Sequence, residues 1–190
     1  MTRFYGNLHL VLLAGLALAI AVIFGTGGLS ADMAGANQIM RWLHVFFGAV
    51  WMGLLYYFNF VQIPTMPKIP AELKPGITQY IAPKALFFFR YSALATVATG
   101  LAVAWLSGYL REALLFQPPF TLISIGMWLA LIMAFNVWVF IWPAQKIALG
   151  IVDGTPEAKA AATTRAMIFS RTNVLLSIAM LYAMVAFNGG

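Results

Sequence analysis

Cysteine is absent from the 190 residues, and charge is scarce, with Asp, Glu, Lys and Arg making up only 8% of the chain. The lack of cysteine excludes disulfides, thiolate metal sites, iron–sulfur clusters and covalently attached c-type haem. The lack of charge argues against a soluble globule, whose solvated surface takes about 25% charged residues. No carboxylate falls in a long apolar run, because Asp32, Glu72, Glu112, Asp153 and Glu157 all lie between runs. That counts against a proton relay of buried acids, a di-iron carboxylate site or a pump built on such groups. No internal repeat is visible, so the paired broken helices of a transporter are missing too. Nor does a basic cluster interleave with aromatics, so the net charge of +6 does not point to nucleic acid.

What remains is apolar. Hydrophobic residues make up 63% of the chain and the mean hydropathy is +0.89. A helix needs about 20 apolar residues to cross a bilayer. Five stretches satisfy this, from Leu8 to Phe24, Met40 to Ile63, Leu86 to Leu106, Phe120 to Trp142 and Met167 to Phe187. The expected fold is all-α: a single polytopic transmembrane bundle over residues 1–190. Glycines 25, 27 and 28, prolines 64, 67, 70 and 75, Gly108, Pro118, Pro119 and Pro143 are expected to end or separate the spans. Thr155-Pro156-Glu157 has the form of a helix start, so a short helix should run from Pro156 into the fifth span. The first span follows Arg3 as a signal peptide would, but its length argues for a retained helix.

Basic residues set the expected orientation. Arg3, Lys68, Lys74, Lys84, Lys146, Lys159 and Arg165 fall on one side of a five-span chain, against Arg41 and Arg111 on the other. The uncharged tail Phe187-Asn188-Gly189-Gly190 falls on that second side. Positive residues stay in the cytoplasm, which places the N-terminus inside and the C-terminus outside. A bacterial cytoplasmic membrane is the expected location, with the lipid bilayer as the first partner.

The second span is the most informative. At about 100° per residue, Arg41, His44, Gly48, Trp51, Leu55, Asn59 and Gln62 fall within an arc of about 80°. That face should point inward, leaving Phe46, Val50, Leu54, Phe60 and Val61 to lipid. His44, about one turn inside the outer leaflet, suits an axial haem b ligand, a copper ligand or a quinone or substrate contact. An interior histidine bonded to a neighbouring helix is the alternative. His9, at the other end of the first span, is expected to be interfacial and about 20 Å or more from His44 along the membrane normal. Arg90-Tyr91-Ser92 opens the third span, with Thr96, Thr99 and Gly100 below it. Asn136 sits in the fourth span, and Ser170, Asn173 and Ser177 share a face of the fifth. Such small and hydroxyl residues suit close helix packing, with Trp51, Asn59, Asn136 and Asn173 as candidate pocket lining beside His44.

Two stretches carry a family resemblance. Arg41-Trp42-Leu43-His44-Val45, with Trp51-Met52-Gly53 and Tyr56-Tyr57-Phe58, comes first. Asn136-Val137 through Pro143-Ala144-Gln145-Lys146 comes second, followed by Ser170-Arg171-Thr172-Asn173. Together these resemble the membrane N-terminal domain of bacterial membrane-bound urate oxidases, over roughly residues 40 to 187. The resemblance implies a redox membrane domain in which His44 holds haem b or substrate. Family enzymes add further helices and a cytochrome c domain, so this chain is expected to be a short form that passes electrons to a separate cytochrome. It is not expected to be a complete urate oxidase by itself. The other expectation is a non-catalytic accessory subunit of a larger bioenergetic membrane complex, bound to membrane protein partners or to copies of itself.

Overall fold

The computed structural model describes residues 2–187, so Met1 and the tail residues Asn188, Gly189 and Gly190 lie outside the described residues. Among the described residues five helices are long and apolar enough to cross a membrane: α1 (Leu8–Gly25), α2 (Met33–Lys68), α3 (Ala71–Leu106), α4 (Thr121–Ala148) and α5 (Pro156–Ala186). Among the described residues there is no strand. The chain divides at Ile39 into two compact units.

The first unit is built by local capping. Asn7 starts α1 by accepting hydrogen bonds from the His9 and Leu10 amides at 3.0 and 3.4 Å. No residue of α1 is buried. Asp32 caps α2, its Oδ1 accepting from the amides of Ala34 and Gly35 at 3.0 and 3.1 Å. The Ser30 hydroxyl and these amides hold the Asp32 carboxyl below its usual range. The chain folds so tightly here that a Cβ on residue 35 would overlap the Ser30 carbonyl oxygen. Gly35→Ala is therefore expected to unseat the cap, worth about 1 kcal/mol. Amide exchange should show faster exchange at residues 34–36 and an unchanged second unit.

In the second unit, α2 from Met40 packs with α3, α4 and α5. The core joins Trp51, Met52, Leu55 and Phe58 of α2 to Leu86, Phe89 and Ala93 of α3, Met133, Val137 and Ile141 of α4, and Met180 of α5. On α5 the buried residues Ala162, Ala166, Ser170, Asn173, Ser177, Met180 and Ala183 recur every three or four positions, forming one stripe. Most are small, which lets α4 approach closely. At Gly126 a Cβ would come within 3.1 Å of the Ala183 Cβ.

The prolines correct the expected breaks. Helix α2 continues past Pro64 to Lys68, α3 begins at Ala71 rather than Leu86 and runs through Pro83, and α4 runs through Pro143 to Ala148. Each of these three prolines follows a π-helical turn, namely Tyr57–Gln62, Gly76–Ile81 and Asn136–Ile141. A proline ring clashes with the carbonyl four residues back and offers no N–H. Those carbonyls belong to Phe60, Gln79 and Val139, all inside the wide turns. The last amide before each proline reaches back five residues instead: Ile63 to Phe58, Ala82 to Ile77 and Trp142 to Val137. At the start of α5, Thr155 caps through a bond from the Ala158 amide at 3.2 Å. The helix then continues unbroken to Ala186.

Candidate functional site

The inward face of α2 carries the first cluster. Trp51 and Leu55 are buried, His44, Gly48, Asn59 and Gln62 are half-buried, and Arg41 is exposed. Phe46, Phe60 and Val61 of the opposite face are all exposed. His44 crosses to α3, where its Nδ1 lies 2.8 Å from the Thr96 carbonyl oxygen. A carbonyl only accepts, so Nδ1 must carry the proton. In the neutral ring that leaves the lone pair on Nε2, which no described residue engages. A ligating histidine is held in just this manner, one nitrogen donating to a carbonyl and the other free. Closeness to α3 depends on Gly100, where a Cβ would fall 2.7 Å from Cε1 and 2.9 Å from Nδ1 of His44. The Thr96 and Thr99 hydroxyls fold back onto Ser92 and Ala95 carbonyls of their own helix at 2.7 and 2.6 Å.

The second cluster ties α2, α4 and α5 together. Tyr56 and Ser177 share a hydrogen bond of 3.0 Å. Asn59 donates to the Leu55 carbonyl and to the Ser170 hydroxyl, both at 2.8 Å. Asn136 donates to Asn173 Oδ1 at 2.9 Å, and Asn173 donates in turn to the Met133 carbonyl at 2.9 Å. The Asn59 and Asn136 amides both lie in π-turns, where the widened backbone aims them at α5. Trp51 is 1% exposed and its indole N–H meets no partner among the described residues.

A third group surrounds Trp142. Arg90 is 8% exposed, and its Cζ lies 3.3 Å from the centroid of the Trp142 ring. Such stacking contributes about 2 kcal/mol when desolvated. Nε and Nη1 of Arg90 meet no hydrogen-bond partner among the described residues.

Of the residues singled out in the sequence, Asn136 and Asn173 bond directly, and Asn59 reaches Ser170, three residues before Asn173 on α5. Trp51 lies in the core between these helices, whereas His44 turns to α3. The stacking of Arg90 on Trp142 was not expected; an arginine one turn into an apolar run, with a tryptophan one residue before a proline, was its only trace. The exposed His9 is the other histidine of the chain. Among the described residues no three His, Asp or Glu side chains come together around a metal position. Single-imidazole ligation is what the cluster offers a haem: one ring anchored to Thr96, with a free Nε2, seated against Gly100 of α3. Comparison with known protein families, curated proteins and solved structures finds no match to this chain.

Proposed function

We propose that the chain is a multi-pass protein of a bacterial cytoplasmic membrane, N-terminus inside and C-terminus outside, whose bundle binds haem b or a substrate at His44. The reading makes it a redox module like the membrane domain of the urate oxidases it resembles, serving a separate cytochrome. Its main support is the His44 geometry, with Nδ1 bonded to Thr96 at 2.8 Å and Nε2 unengaged. The basic residues gathered at the end of α2 and start of α3 (Lys68, Lys74, Lys84), and at the end of α4 and start of α5 (Lys146, Lys159, Arg165), support the orientation.

In this reading Thr96 fixes the ring's rotation and tautomer, and Gly100 makes the room that brings the imidazole to α3. Haem b, when bound, supplies one-electron chemistry. Asn59 bonded to Ser170, and Asn136 bonded to Asn173, hold α2 and α4 against α5.

A second reading, an accessory subunit of a larger complex, rests on α1, no residue of which is buried. An absorption spectrum decides between them. The protein purified in mild detergent, with haem b added, should show a sharpened Soret band that is lost in His44→Ala while folding persists. A wild-type protein that stays spectrally silent, yet migrates with large partners on a native gel, would replace the redox reading with the accessory one.

A further inference from the structure

We infer that Arg90, Lys146 and Trp142 form a second ligand site, one that takes a phosphate-type oxyanion. It stands apart from His44, whose α3 contacts at Thr96 and Gly100 are six to ten residues from Arg90, about 9–15 Å along the helix. It does not depend on the redox reading.

Two cations share one indole. The Arg90 Cζ is 3.3 Å from the Trp142 centroid, and the Lys146 Nζ is 5.8 Å from the same point. Like charges drawn to one ring raise each other's energy, and no acidic residue lies in any of the apolar runs to compensate them. A buried cation without a counter-charge is strongly disfavoured. The unmet groups are mostly donors. Arg90 offers Nε and Nη1, and Trp138, one helical turn before Trp142, offers an indole N–H; all three atoms are buried without partners among the described residues. Guanidinium, ammonium and indole have no acceptor among them, so together they select an oxygen-rich anion. Gln145, one residue before Lys146 on α4, carries a buried, unmet Oε1. Trp142 covers one face of the guanidinium, so the ligand must approach its edge.

Such a phosphate has two sources: the headgroup of an anionic phospholipid, or a free phosphate group in solution. The protein in dodecyl maltoside micelles, which carry no phosphate, titrated with inorganic phosphate at constant ionic strength, tests the free source by tryptophan fluorescence and melting temperature. The same micelles with increasing phosphatidylglycerol test the lipid source. The wild type should respond saturably in at least one series, and the series that responds identifies the source. Arg90→Met should abolish the response, Arg90→Lys should weaken it about tenfold, and Trp138→Phe should weaken it severalfold. His44→Ala should leave it unchanged, which separates this site from the first. If Arg90→Met does not fold, the wild type and Trp138→Phe still decide. A wild type without saturable response in either series, or a response that Trp138→Phe and Arg90→Lys leave intact, overturns the proposal.

Discussion

Asn173→Leu is expected to destabilise the bundle by about 2–3 kcal/mol, because it strands the buried Asn136 side-chain amide and removes one of the two donors to the Met133 carbonyl. Asn173 is 0% exposed, accepts from Asn136 and donates to the Met133 carbonyl. Hydrogen bonds between membrane helices average only about 0.6 kcal/mol, since the separated helices also find partners. The larger loss predicted here comes from the Asn136 amide, which would be left without its acceptor in the same π-turn. A second substitution, Asn136→Leu, removes that stranded donor. The double variant should therefore be more stable than the sum of the single effects by about 1 kcal/mol. Unfolding in mixed micelles followed by near-UV circular dichroism measures both. Strictly additive losses would show that the pair does not couple α4 to α5.

Gly100→Val is expected to act on stability and on ligand binding together. Its Cβ would overlap the His44 ring at 2.7 Å, so the ring must swing away from Thr96 or α2 must move off α3. Overpacking of this kind costs about 1–3 kcal/mol. The displaced imidazole would also lose its fixed tautomer, and the Soret band expected of the wild type should fall with it. Gly48→Ala is the control. Its nearest neighbour would be the Thr96 Cγ2 at 3.7 Å, an ordinary contact, so stability and spectrum should stay close to wild type. If Gly100→Val binds haem as the wild type does, His44 is not the ligand.

The helical periodicity of α2 placed Trp51 and Leu55 on one face and Phe46, Phe60 and Val61 on the other, and burial follows that division. However, Leu54, expected to face lipid, packs against the core, and Arg41, expected inward, is exposed. Composition and run length were sufficient for five long apolar helices, because hydrocarbon leaves the backbone few alternatives. Helix ends were less legible. Pro64, Pro83 and Pro143 each follow a π-turn, and whether a proline ends a helix or is absorbed depends on hydrogen bonds five residues apart. Nothing in local composition reports that choice. The candidate site divides similarly. Ser170, Asn173 and Ser177 at helical spacing marked the face that meets α2 and α4. Arg90 and Trp142, by contrast, are far apart in sequence, and only the packing of α3 against α4 brings them together. Likewise, Gly100 reads as one small residue among several until the imidazole beside it is seen.

The protonation of one ring tests the central claim most directly. With His9 replaced by Gln, nitrogen-15 NMR of histidine-labelled protein in micelles reports His44 alone. The account predicts a neutral imidazole with its proton on Nδ1 and a bare Nε2, and a change at Nε2 when haem b is added. A proton found on Nε2, with Nδ1 bare, would be incompatible with the bond to the Thr96 carbonyl and would remove His44 as a ligand.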